Sequence, residues 1–107
     1  MLSPLPATIP HAAQAAAQTW PDAPAVIEGG ETWTFAELWE RSRAGASALL
    51  ARGIGSGDRV AIWAPNRREW IVAALAAMSV GAAVVTLITR LKGREAGDIL
   101  RRTHAKL

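Results

Sequence analysis

Four groups of residues in this chain have types and spacings that could do chemistry. The stretch GIGSGD, Gly53 to Asp58, has the composition of a loop that offers backbone amides to a phosphate. It lacks the spacing of a phosphate loop and a following Lys-Ser/Thr pair, so it reads as a helix stop and turn. His11 and His104 lie far apart in sequence, and no residues around either give metal-ligand spacing. Both are expected at the surface, outside any metal or catalytic site. Trp33, Trp39, Trp63 and Trp70 could form a platform for bases or a substrate ring. Aromatic residues on strands and at helix starts more often fill core, and that is the expectation for Trp63 and Trp70. Finally, the cations from Arg90 to Lys106 could meet nucleic acid. Arg101 and Arg102, however, fall in the last turns of a predicted helix, where a cation faces the negative end of the helix dipole, and a solvated face is expected. No catalytic, cofactor-binding or metal-binding residue is therefore assigned, and no nucleic-acid partner.

Composition narrows the class further. A chain of 107 residues, half of them hydrophobic, is long enough for one compact domain or part of one. It contains no cysteine, which excludes a disulfide framework and thiolate metal sites and suits the cytoplasm. The start, MLSPLPATIPHAAQ, lacks the basic and apolar regions of a secretory signal. The net charge is +3, with the excess near the end: Arg90, Lys92, Arg94, Arg101, Arg102 and Lys106 are opposed there only by Glu95 and Asp98. The uncharged run from Ile71 to Thr89 is roughly as long as a membrane span and is flanked by Arg67, Arg68, Arg90 and Lys92. It is rich in alanine, holds Ser79 and Gly81 at its centre and turns β-branched in AAVVTLIT. A buried helix, a glycine stop and a buried strand explain that shift better than a membrane helix does.

The elements that must position these residues follow from periodicity and punctuation. After a Pro-rich lead, Thr8 is placed to cap a helix whose Ile9, Ala12, Ala13, Ala16, Ala17 and Trp20 form one apolar stripe, closed by Trp20-Pro21. Ala25 to Ile27 and Thr32 to Thr34, separated by Gly29-Gly30, predict a hairpin. Thr34 and Glu37 make a capping box for a second helix, which should carry Leu38, Leu49 and Leu50 inward and stop at Gly53. Arg59 to Trp63 is a nearly continuous apolar strand of the kind a parallel sheet buries on both faces. Asn66 and Glu69 repeat the cap pattern ahead of a third helix that runs to about Val80, and a strand from Ala83 to Ile88 follows. Strand, helix, strand is a βαβ unit, which predicts a parallel pair. Gly93 to Lys106 completes the chain as an amphipathic helix, with Ala96, Ile99, Leu100 and Thr103 on one side.

In this order the residues resemble the adenylate-forming (AMP-binding) superfamily, in particular acyl-CoA synthetases. TWTFAEL, Thr32 to Leu38, resembles the first core motif of those enzymes. GDRVAIWAPNRREW, Gly57 to Trp70, is similar to their Gly-Asp-x-Val strand and Asn-x-x-Glu-Trp helix start. ALAAMSVGAAVVTLITR, Ala74 to Arg90, is similar to the second core motif, where a helix ends on a glycine before an apolar strand. KGREAGDILRRTHAKL, Lys92 to Leu107, resembles the Glu-bearing helix of bacterial fatty-acid-CoA ligases. The four stretches cover nearly all of the chain from Pro21 onward. Thr86 and Ile88 stand where the family commonly has proline and asparagine, although Thr89 and Arg90 fit.

The resemblance implies an α/β fold: a partial parallel sheet with covering helices and a short β-hairpin, the start of an acyl-CoA synthetase N-terminal domain, with residues 1–107 an incomplete N-terminal portion of an AMP-binding domain. It implies that the full enzyme joins a fatty or related organic acid to CoA through an acyl-adenylate, using ATP, Mg and CoA. The family's phosphate loop, adenine and magnesium motifs and C-terminal lysine lie beyond Leu107, so this segment is expected to be scaffold, inactive alone, binding none of those cofactors itself and spanning no membrane. Two other classes are weighed against it: a small membrane-anchored protein, for which Ile71 to Thr89 would be one long helix, and a basic interaction module, which would bind nucleic acid in a salt-sensitive way.

Overall fold

The computed structural model describes residues 8–107, so the Pro-rich lead lies outside the described residues. Eight elements follow in order: α1 (Ile9–Thr19), β1 (Pro24–Glu28), β2 (Glu31–Thr34), α2 (Phe35–Ala51), β3 (Arg59–Trp63), α3 (Arg68–Ser79), β4 (Ala83–Leu87) and α4 (Gly93–Thr103). They form an antiparallel hairpin, β1–β2, and a parallel pair, β3–β4, with helices packed around them. In the parallel pair Arg59 lies opposite Ala83 and Trp63 opposite Leu87, so the two apolar strands sit side by side and run the same way, as a βαβ unit requires. The uncharged run Ile71 to Thr89 is accordingly split between α3, a turn and β4. No helix among the described residues is long and apolar enough to cross a membrane.

Helix starts and stops obey local chemistry. Thr8 caps α1 by accepting the His11 N–H at 3.2 Å. At α2 the Thr34 hydroxyl accepts the Glu37 N–H at 3.1 Å while the Glu37 carboxylate accepts the Thr34 N–H at 3.2 Å, a reciprocal box. α2 and α3 end alike: Gly53 (φ 81°) and Gly81 (φ 82°) adopt the left-handed conformation, and the next amide reaches back to a carbonyl five residues earlier, Ile54 to Leu49 and Ala82 to Ala77, each at 3.0 Å. α4 closes by the same pattern, but with His104 (φ 55°) in the glycine position.

Two small cores hold the layers together. Ile54, Val60, Ala77 and Ala82 pack between α3 and the parallel strands; Trp33, Leu38 and Leu75 join the hairpin to α2 and α3. The buried Ser42 hydroxyl donates to the Leu38 carbonyl at 2.8 Å, which satisfies it within its own helix.

Several expectations need correction. Leu50 and, at the ends of the α1 stripe, Ile9 and Trp20 are exposed, because no element covers those turns. β3 is buried on alternate positions, Val60 and Ile62, with Ala61 only half-covered; α3 seals one face, while the other is less closed. Asn66 does not cap α3. The chain stays extended through Arg67 (φ −130°, ψ 163°), which puts the Asn66 side chain one position too early, and α3 has no side-chain cap. The final helix stops at Thr103, and Lys106 instead lies along β3: its N–H donates to the Arg59 carbonyl, and the Ala61 N–H donates to the Leu107 carbonyl, both at 2.8 Å.

Candidate functional site

Parallel strands put their carboxyl ends together. From β4 the chain returns through α4 to residues 105–107 beside the other edge of β3, the opposite direction to the β3–α3–β4 crossover, and the loops after β3 and β4 diverge from that end of the sheet. The gap between two such loops is where open α/β sheets bind ligands. A crevice of about 350 Å³ lies there, walled by Pro65, Asn66, Trp70, Thr86, Ile88 and Thr89. At the end of β3 the Trp63 indole donates to the Ile88 carbonyl at 3.1 Å, which ties β3 to the loop after β4.

The chemistry of that crevice is contact and hydrogen bonding. Asn66, Thr86 and Thr89 offer neutral polar groups and Trp70 an apolar wall; none of its lining residues is a histidine, carboxylate, lysine or cysteine. Among the described residues, no group of three or more His, Cys, Asp or Glu side chains could hold a metal ion.

The residues singled out from the sequence fall as follows. Gly53 to Asp58 is a stop and turn, and the Asp58 carboxylate accepts the Gly55 N–H at 2.8 Å, which occupies one amide a phosphate would need. That hydrogen bond, together with Lys106 nearby, holds the Asp58 carboxyl below its ordinary 3.8. His11 and His104 are both exposed, at the start of α1 and the end of α4. Arg101 and Arg102 pair with Asp98 on their own helix, at 3.8 and 3.2 Å. The aromatic expectation is reversed: Trp63 is 48% exposed and Trp70 half-buried, whereas Trp33 is buried. The less closed face of the sheet leaves Trp63 uncovered, while Trp33 faces two helices.

Sequence reasoning missed what surrounds Trp33. Arg41 from α2 and Arg68 from α3 lie over its ring, with guanidinium carbons 4.3 and 4.9 Å from the centroid. Arg68 also hydrogen-bonds Glu31 and lies against Glu28 and Glu69, its Nε 3.3 and 3.5 Å from their carboxylate oxygens. These last two are ion contacts only, since Nε lacks a hydrogen bond of proper geometry. The Glu31 hydrogen bond above all raises the Arg68 pKa, and Glu69 is held below its ordinary 4.5 by its own backbone N–H and by Arg67 and Arg68. The cluster fastens the hairpin to α3. No local pattern announces it, because its members come from four elements, β1, β2, α2 and α3.

A layered α/β segment with a crevice at its strand ends, and no catalytic constellation in that crevice, is the class of protein that fold and site define. The chain belongs to the AMP-binding enzyme family, which it matches over residues 13–107. It is 42% identical over 98 residues to the 3-[(3aS,4S,7aS)-7a-methyl-1,5-dioxo-octahydro-1H-inden-4-yl]propanoyl:CoA ligase of Rhodococcus jostii, covering 92% of this chain and 19% of that protein. The N-terminal subdomain of NpsA from Klebsiella oxytoca, in complex with 3-hydroxyanthranilyl-AMSN, superposes with a TM-score of 0.87 at 30% identity, over 92% of this chain and 25% of that one. The O-succinylbenzoate coenzyme A synthetase MenE of Bacillus subtilis, in complex with AMP, gives 0.83 at 33% identity, over 87% and 24%. The chain thus spans about a fifth of the length of its curated relative.

Proposed function

We propose that this chain is the opening scaffold of an acid–thiol ligase, an incomplete N-terminal portion of an AMP-binding domain. The whole enzyme converts a fatty or related organic acid, ATP and CoA into acyl-CoA, AMP and pyrophosphate through an acyl-adenylate, in the cytoplasm. The observation that carries this reading is the collinear match of residues 13–107 to the AMP-binding family, joined to 42% identity with a CoA ligase.

The residues present do not fit the cofactors of that reaction. Triphosphate needs several converging amides, a lysine and a divalent ion. In the glycine turn one amide is engaged by Asp58, and Lys106 points to the Gly53 carbonyl. ATP, Mg and CoA are therefore assigned to other parts of the enzyme, and no catalytic, cofactor or metal residue to this one. The small core supports a scaffold role: among the described residues five of its twelve hydrophobic members are alanine, while Ile27, Trp63 and Ile88 stand exposed. A helix or strand face of that kind gains little free energy until something further covers it.

The test is ATP–pyrophosphate exchange over a panel of carboxylic acids, comparing the 107-residue chain with a version extended through the family's phosphate-loop, adenine and lysine motifs. Exchange by the extended enzyme alone is expected. Exchange by the short chain, or none by the extended enzyme with any acid, overturns the reading.

A further inference from the structure

The Gly53–Asp58 turn makes contacts that its role as a helix stop does not require. Lys106 donates from Nζ to the Gly53 carbonyl at 2.9 Å and lies 3.5 Å from the Asp58 carboxylate, which is itself held by the Gly55 N–H. The same residue places its backbone N–H on the Arg59 carbonyl, and Leu107 accepts from Ala61. One side chain and two backbone bonds thus clip Ala105–Leu107 to the edge of β3 that faces away from β4.

We propose that Lys106 is a positioning residue, a latch that holds the chain after α4 on the outer edge of β3 as the beginning of a third parallel strand. The latch makes β3 the central strand of the sheet. It also fixes the direction and register in which the polypeptide leaves α4, and hence the placement of the strand whose end would border the crevice next to Pro65 and Asn66. A free strand edge is a template for pairing with other chains, and the latch covers part of it. The chemistry suits the task. A lysine on a flexible four-carbon stem with three donors can reach a carbonyl and a carboxylate together. The continuing strand rests on the reading of the chain as an incomplete domain portion, whereas the latch itself rests on the contacts above, and its test uses no substrate.

The experiment is residue-resolved amide hydrogen exchange by NMR on the 107-residue chain and three variants. Lys106→Ala is expected to speed exchange of the Ala61 and Lys106 amides at least tenfold, while the Ala83 amide, bonded to the Asp58 carbonyl at 2.8 Å, keeps its protection. Asp58→Asn, which retains an acceptor for Gly55 and removes the charge facing Lys106, should act in the same direction. Lys106→Arg should restore protection. Unchanged Ala61 protection in Lys106→Ala, an equal loss at Ala83, or an Ala61 amide that is already unprotected in the parent chain would each overturn the assignment.

Discussion

Arg68 illustrates how a single side chain here acts through several partners. Its side chain is 18% exposed, and its guanidinium lies over Trp33 and meets carboxylates from β1, β2 and its own helix. Replacing it with methionine keeps much of the packing length while leaving Glu31 without its cation and Glu28 and Glu69 with Arg67 alone, at 3.9 and 3.7 Å. The expected result is a lower urea midpoint that falls further at low salt than at high salt, because the uncompensated repulsion is screened. Tryptophan fluorescence during the titration checks it; equal destabilisation at both ionic strengths would mean that packing against Trp33 carries the whole effect. Thr34 is simpler. Thr34→Ala removes one half of the capping box and should cost about 1 kcal/mol of stability, read from the same titration.

Among the elements, the packing of α2 on α3 decides how the two cores join, and it depends on one close approach. A Cβ added at Gly45 would lie 2.9 Å from the Ala76 Cβ, and Ala76 is 2% exposed with nowhere to move. Alanine at a mid-helix glycine usually gains about 0.8–1 kcal/mol in helix propensity, whereas overpacking of this kind costs about 1–3 kcal/mol. Gly45→Ala should therefore destabilise, and Ala76→Gly in the same chain should recover part of the loss, a coupling that a double-mutant cycle measures. A simple gain in stability from Gly45→Ala would show that the helices separate freely. This contact was not legible in the sequence, since nothing local distinguishes Gly45 from a tolerated helical glycine. What was legible rests on local signals: the Thr34–Glu37 box, the stops at Gly53 and Gly81, the hairpin around Gly29-Gly30 and the parallel pairing of two apolar runs. Trp63, Trp70 and Leu50 were misjudged because burial depends on which faces other elements cover, and one apolar residue reads like another until the layers are assembled. Lys106 was misread for a related reason: the helical period runs on past Thr103, while the backbone hydrogen bonds of β3 draw the chain away.

For the molecule as a whole, the ionic contacts that cross between elements set how stability responds to acid. Asp58 links the glycine turn to the residues along β3, whereas Glu69 acts locally, pairing with its chain neighbours Arg67 and Arg68 at the start of α3. Both carboxyls are held below their ordinary values of 3.8 and 4.5, so in the folded chain they release protons more readily than in the unfolded one. The unfolded chain then binds more protons in acid, and stability falls as pH falls. The contribution is fully present above the ordinary carboxylate range and disappears as the pH drops through the lowered folded values. Arg68 shifts the other way, upward, and its contribution is lost only in strong alkali, beyond any working pH. The denaturation midpoint should thus be level between about pH 7 and pH 5 and decline below about pH 4.5. In the Asp58→Asn variant that decline should be shallower, because one of the two depressed groups no longer titrates. Chemical denaturation at several pH values, followed by far-ultraviolet circular dichroism, checks both statements; an unchanged slope in Asp58→Asn would show that the Asp58–Lys106 contact adds nothing to the acid response.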